Sequence, residues 1–472
     1  MTRHPTFVVA LFLVGALGEV GLAARGATPS ALERRCIPAG CVAAPSNIPD
    51  ILGRRALPAG RLDVLGATME LHHGLLGQQP AGVAALAQTA PVRAALDAAK
   101  ANEPRTIEQQ ISFCQVPAPP FQEAARGRVL SRAFEEAGLS NIRVDRVGNV
   151  LADRPGLAAR PRLVVASHLD TVFPEGTELK VTRDGPRLRG PGIGDNCRGL
   201  AVLVATARAL AQARVQTPGT ITFVANVGEE GLGDLRGVKE LFAGELSGRI
   251  DRFVSIDNAG IGITNQAVGS HRYRVSYKGP GGHSFGDFGL ANPAHALGRA
   301  VAKISELQVP SHPRTTFTVG RLGGGTSVNS IPFEVWMEVD MRSADPLALA
   351  DLDGRFRKAV EAAVAEENAR WGGRPTITAV VQLVGDRPGG STPANGPIVE
   401  TAQAVARALG LTAPLSEGST DANVPMSRNI PAITIGGGGT SAESHAPQES
   451  FDTTDSWKGT QNAVLLVIAL AQ

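Results

Sequence analysis

The chain has 472 residues, 43% of them hydrophobic, and balances 46 Lys and Arg against 44 Asp and Glu. That length and apolar content allow more than one packed core. A net charge of +2 and an aromatic content of only 4% exclude the basic footprint of a nucleic-acid binder and a stacking platform for bases.

At the N-terminus, Arg3 and His4 precede the apolar run Phe7 to Leu17, followed by Gly18-Glu19 and small residues. This is the layout of a secretory signal peptide, assigned to residues 1–26. Eleven apolar residues fall short of the roughly 20 that cross a bilayer. No stable membrane span is therefore expected, and the protein is expected to be exported to a periplasmic or extracellular space. An uncleaved anchor or a misassigned start is the alternative. In an oxidising compartment Cys36 and Cys41 are candidates to pair across their short loop, while Cys114 and Cys197 are expected to be free. Residues 27–102 read as a loosely structured lead-in, Pro- and Gly-rich at first, with a helical pattern around Ala81 to Ala101.

Chemistry-bearing residues then follow strand-like runs. The run Leu163 to Ala166 leads into Ser167-His168-Leu169-Asp170, and the C-terminal end of such a strand is where α/β sheets bind ligands. His168 suits a metal, with Asp170 on the same side to fix its tautomer; a purely structural pair is equally open on this segment alone. Gly190-Pro191-Gly192-Ile193-Gly194-Asp195 is a tight loop before a helical pattern at Leu200 to Ala213. Its spacing is not that of a nucleotide fingerprint, and its aspartate would repel phosphate. The run Gly219 to Asn226 ends in Val227-Gly228-Glu229-Glu230-Gly231. Two adjacent carboxylates point different ways, so one can bind a metal while the other moves a proton; the bland alternative is a solvated acidic turn. Asp257 closes the run Phe253 to Ile256, and His445 follows the apolar Ala432 to Ile435 and a four-glycine turn.

Between these, residues 269–385 read strand (Arg272 to Lys278), helix (Pro293 to Leu307), strand (Thr315 to Leu322), strand (Phe333 to Arg342), helix (Pro346 to Trp371) and strand (Thr376 to Val384). In the fourth element Phe333, Val335, Met337, Val339 and Met341 alternate with polar residues, apart from Trp336, as in a sheet with one face packed on helices. The fold class is therefore α/β, a main part with a mixed, mostly parallel sheet, and an inserted β-α-β-β-α-β, ferredoxin-like layer dividing it into residues 103–268 and 386–472. Five oxygen and imidazole groups at successive strand ends, without a cysteine pair at ligand spacing, argue for two divalent metal ions, with zinc the default and cobalt or manganese possible.

From about Glu103 to the C-terminus the chain resembles the M20 metallopeptidase family, which includes dipeptidases, tripeptidases, glutamate carboxypeptidases and N-acyl amino acid deacylases. The resemblance implies His168 and Asp257 on one metal, Glu230 and His445 on the other, Asp195 bridging, Asp170 behind His168 and Glu229 as general base. It implies that the inserted layer is a lid and often a dimerisation surface. His283, in Gly281-Gly282-His283-Ser284, matches a histidine that stabilises the tetrahedral oxyanion, often from a partner subunit. Asn329 and Arg342 match polar contacts to the substrate, and an arginine suits a carboxylate held through two hydrogen bonds; a surface ion pair is the alternative for Arg342. Cys197 and Arg198 depart from the family, which often has a lysine before the glycine, so substrate preference transfers less readily. The expected function is metal-dependent hydrolysis of amides in short peptides. Deacylation of N-acyl amino acids or carbamates on the same site is the alternative, and a non-catalytic binding role is the third reading.

Overall fold

The computed structural model describes residues 80–372 and 376–472. Residues 1–79, and with them the signal segment, Cys36 and Cys41, lie outside the described residues. The largest sheet has nine strands and is mixed as expected, but it is not mostly parallel: four strand pairings are parallel and four antiparallel, because antiparallel pairings extend both edges. Its centre is four parallel strands side by side: Thr220–Asn226, Arg162–His168, Arg252–Ile256 and Ala432–Ile435. All four are almost wholly buried, which is why they read as continuous apolar runs rather than alternating ones. Because they are parallel, the residues that follow them emerge at one edge, and this edge carries the site.

Helices cover the faces of this sheet. The helix Cys197–Gln212 is buried over most of its length and shares one core with Leu163, Val165, Phe223, Val254 and Ile433 from the strands. The helices Pro80–Gln88 and Ala90–Ala101 belong to the same core through Val83, Val92, Leu96 and Ala99. The helical pattern expected around Ala81 to Ala101 is present as these two helices, whose small apolar residues seat closely. Among the described residues no helix is long and apolar enough to cross a membrane.

The inserted segment forms a second layer with its own core. Its four strands, Gly269–Lys278, Thr315–Gly324, Glu334–Ser343 and Thr378–Arg387, are all antiparallel, with the third and first central and the second and fourth at the edges. Two helices, Pro293–Ser305 and Pro346–Arg370, cover one face. The second starts where Asp345 accepts hydrogen bonds from Leu347 N at 2.7 Å and Ala348 N at 3.3 Å, with proline in the first turn, a strong N-terminal signal. Val335, Met337, Val339 and Met341 all point into this core, whereas Phe333 is exposed and lies just before the strand. Trp336 keeps the alternation on the polar face, where the Arg274 guanidinium lies 3.9 Å from its ring centroid and screens the indole as a cation–π partner.

The expectation of free thiols at Cys114 and Cys197 is overturned, because the two are joined in a disulfide. They stand 83 residues apart, and only the docking of the Glu103–Cys114 helix against the start of Cys197–Gln212 brings them together.

Candidate metal centre

The strand ends deliver the donor atoms in two groups around one carboxylate. His168 Nε2 lies 3.2 Å from Asp195 Oδ1 and 3.4 Å from Asp257 Oδ1. On the other side, His445 Nε2 lies 3.3 Å from Asp195 Oδ2 and 3.2 Å from Glu230 Oε1. Asp195 therefore turns one oxygen to each group. These separations match the edge of a tetrahedron whose bonds are about 2.0–2.1 Å, which is about 3.3–3.4 Å, the geometry of zinc on imidazole and carboxylate. The donor set of two imidazoles and three carboxylates fits two divalent ions, and His168, Asp195 and Glu230 alone could already hold one.

Local structure explains how each donor is aimed. His168 closes its strand, and its Nδ1 faces the Asp170 backbone carbonyl at 3.1 Å, which places the proton on Nδ1 and leaves the Nε2 lone pair for a metal. Asp170 stands behind His168 as expected, with its carboxylate 3.6 Å from Nδ1. It also accepts the backbone N–H of Glu229 at 3.0 Å and of Glu230 at 2.8 Å. It orients both glutamates, because the turn after His168 directs it at the next strand's end. Asn196 fastens the loop that carries Asp195: its Nδ2 donates to Ser167 Oγ and Ile256 O, and its Oδ1 accepts from Gly199 N and Asn258 N. Gly199 must be glycine, since a Cβ there would stand 2.2 Å from Asn196 Oδ1 and 2.4 Å from Ile256 O. His445 has φ +68° and Glu443 φ +61°, a costly backbone conformation for non-glycine residues of the kind that collects at functional sites.

Without an ion the donors share protons. Contacts to the Asp195 and Glu230 carboxylates push His445 up to about 10. Burial works against a charged His168, yet its contacts with Asp170, Asp195 and Asp257 outweigh it and hold the imidazole well above its ordinary value. Burial also pushes Glu229 well above the usual carboxylate range, with Arg387 pulling it down and Glu230 adding to the rise.

The donors open into a cavity of about 550 Å³ whose lining includes Asp195, Glu229, Glu230, Asp257, Arg272, Arg342 and Arg387. Arg342 is the one of the three expected residues of the inserted layer that reaches it. Asp340 sits between two arginines, accepting from Arg342 Nε at 2.6 Å and Arg272 Nε at 2.9 Å. One carboxylate neutralises only one of two cations there, leaving the pair net positive. His283 and Asn329 do not line this cavity. They lie together on exposed backbone, where the Gly282–His283 and Ser330–Ile331 strands pair and Ser284 N donates to Asn329 O at 2.9 Å. His283 Nδ1 accepts from the backbone N–H of Phe285 and Gly286.

Two features were not found in the sequence, Arg387 and Glu449. Arg387 is buried, donates from Nη1 to Glu229 Oε1 at 3.0 Å and to Ser419 Oγ at 3.1 Å, and reaches the Glu229 carbonyl through Nη2. An Arg-Pro closing the last inserted strand was the available signal. Glu449 is buried and accepts the N–H groups of Gly192, Gly194 and Asp195. Arg198 faces away from the cavity: it is fully buried, paired with Glu103 at 2.8 Å and bonded to the carbonyls of Gly437 and Ser456. Its departure from the family pattern is therefore a matter of packing.

The profile of peptidase family M20/M25/M40 matches residues 164–469. Succinyl-diaminopimelate desuccinylase of Leptothrix cholodnii is 27% identical over 319 residues, covering 62% of this chain and 79% of the relative. N-acetylcysteine deacetylase of Bacillus subtilis is 24% identical over 285 residues, covering 57% and 73%. Among solved structures, a tripeptidase from Staphylococcus aureus superposes with a TM-score of 0.64 at 23% identity, covering 78% of this chain and 98% of that one. The YXEP protein of Bacillus subtilis, described as a dinuclear metal-binding peptidase from the M20 family, gives 0.58 at 20%, with coverages of 78% and 98%. The chain belongs to peptidase family M20/M25/M40 and is a metal-dependent hydrolase of that family.

Proposed function

We propose that the protein is a dinuclear metal-dependent amide hydrolase acting on short peptides or N-acyl amino acids that carry a free carboxylate. The observation that carries this reading is Asp195, whose two oxygens face two separate imidazole–carboxylate groups. His168 and Asp257 would hold one ion and Glu230 and His445 the other, with Asp195 shared; zinc is the default for such donors. When bound, the ions would supply Lewis-acid polarisation of the scissile carbonyl and make a water in the cleft more acidic.

The chain's own residues would do the rest. Glu229, held by Arg387 on one oxygen, takes the proton of the attacking water and returns it to the leaving amine. Arg342, oriented through its Nε by Asp340, holds the substrate carboxylate with its remaining N–H groups. The names of the relatives support both peptide and N-acyl substrates, and the net positive Arg272–Asp340–Arg342 cluster favours an anion in either case. Deacylation is the second reading, favoured by the desuccinylase and deacetylase relatives.

The inserted layer would act as a ferredoxin-like lid and dimer surface, with His283 and Asn329 completing a partner's site. That neither lines the cavity of its own chain supports this, as do the exposed Phe285, Phe288, Val328 and Phe333 near them in the sequence. The protein is further proposed to work outside the cytoplasm, after loss of its signal segment. Hydrolysis of a panel of dipeptides, tripeptides and N-acyl amino acids by zinc-loaded protein, with and without chelator, tests the function. Chelator-sensitive cleavage is expected, and two bound metals with no cleavage across the panel would overturn it. Mixing Glu229→Gln and His283→Ala subunits tests the dimer: activity regained in the mixture supports a shared site, and none contradicts it.

A further inference from the structure

We propose that the Cys114–Cys197 disulfide is a positioning crosslink for the metal centre, so that metal retention depends on the chain having folded under oxidising conditions. This rests on the reading of His168, Asp195, Glu230, Asp257 and His445 as metal ligands. Cys197 opens the helix Cys197–Gln212 two residues after Asp195, and Cys114 closes the helix Glu103–Cys114.

The helix Glu103–Cys114 makes two further contacts around the loop of Asp195. Gln110 Nε2 donates to Ile193 O at 2.7 Å, and Glu103 pairs with Arg198 at 2.8 Å, while the disulfide takes position 197. On the opposite side Glu449 holds the loop through the N–H groups of Gly192, Gly194 and Asp195, at 3.1, 2.8 and 2.9 Å. There is no slack: a Cβ at Gly194 would stand 2.3 Å from Ser441 Oγ. The crosslink is the covalent part of this clamp, and the stretch of chain it closes also contains His168 and Asp170.

The reason a clamp matters is tolerance. Metal bonds are met to within about 0.2 Å, and Asp195 must serve both groups at once, so play in its loop weakens both ions together. Partners that only orient ligands typically change metal affinity by about 10- to 100-fold. Both sulfurs are fully buried, which closes the native state to thiol exchange, since attack on a disulfide needs access. The bond is therefore a staple set during folding and not a reversible switch. Its formation removes two protons and two electrons from the thiols; a disulfide oxidant such as oxidised glutathione accepts them and leaves as two thiols.

The test uses the full chain, folded once with oxidised glutathione and once with a phosphine reductant throughout, beside Cys114→Ala/Cys197→Ala. The state of the pair is read from peptide masses, the fold from far-ultraviolet circular dichroism, and zinc affinity from competition with a chromophoric chelator. The oxidised chain should show the linked peptide and bind two zinc ions; the reduced chain and the double variant should bind them about 10- to 100-fold more weakly. Phe356→Ala, in the separate core of the inserted layer, controls for lost stability and should leave the affinity unchanged. Gln110→Leu in the oxidised chain, which removes only the grip on Ile193, should lose several-fold and serves if the double variant does not fold. Equal affinity with and without the bond, or free thiols after oxidative folding, overturns the proposal. Failure of the oxidised wild type to bind two zinc ions overturns instead the ligand assignment beneath it.

Discussion

Replacing Glu229 by Gln tests the proposed proton transfer at a single atom. The residue is only 5% exposed, and its Oε1 accepts from Arg387 Nη1 at 3.0 Å. A glutamine can offer its carbonyl oxygen to that arginine and turn its NH₂ to the cleft, so the fold keeps its shape and the buried guanidinium keeps an acceptor. Asp195, Glu230, Asp257 and the two imidazoles are untouched, and both ions should stay. What disappears is the proton acceptor, which costs about 10²- to 10⁴-fold in rate, or about 2.7–5.5 kcal/mol of barrier at about 1.36 kcal/mol per decade. The assay is kcat on the best substrate of the panel, with zinc content measured on the same sample. Full turnover with two metals would refute Glu229 as the base. Loss of a metal would show that Glu229 is itself a ligand.

Other outcomes follow from the same geometry. Arg342→Ala removes a charge-assisted contact of about 1.5–3 kcal/mol, so kcat/KM for carboxylate-bearing substrates should fall about 10- to 100-fold while an amidated analogue is barely affected; equal losses on both would contradict carboxylate recognition. In the metal-free chain His445 is pushed up to about 10 and His168 is held well above its ordinary value by the neighbouring carboxylates, so zinc must displace protons from its imidazole ligands. Calorimetry in buffers of different ionisation enthalpy should find net proton release on zinc binding at pH 7, with apparent affinity falling as pH falls; no release would refute the imidazole ligands. Phe356→Ala, from a fully buried ring stacked on Tyr273 at 5.1 Å, should cost about 3–5 kcal/mol yet leave zinc stoichiometry at two, because the inserted layer has a core of its own. A parallel loss of zinc would contradict that separation.

The sequence was most legible where chemistry follows a strand. His168, Glu230 and Asp257 come directly after apolar runs whose parallel pairing puts their ends on one edge, so local pattern and site coincide. The inserted layer was legible for the same reason: the alternation in Val335 to Met341 is a direct imprint of one buried face. What escaped were pairings made by docking. Cys114 and Cys197 meet only because two helices cross, and no spacing in the chain announces it. Glu449 holds backbone N–H groups, which leave no mark on residue type at the loop it supports. Asp170 stands in its expected place, but the turn after His168 also sends its carboxylate to the amides of Glu229 and Glu230, a second role fixed by backbone direction and hidden from residue type. Arg387 sits at the end of the last inserted strand, and its pairing with Glu229 spans 158 residues.

The central claim is that Asp195 joins two metal sites, and anomalous scattering at the zinc edge from crystals of the zinc-loaded protein tests it most directly. Two peaks are predicted, one bounded by His168 and Asp257 and one by Glu230 and His445, with an Asp195 oxygen on each. A single peak, or ions bound away from Asp195, would contradict the account.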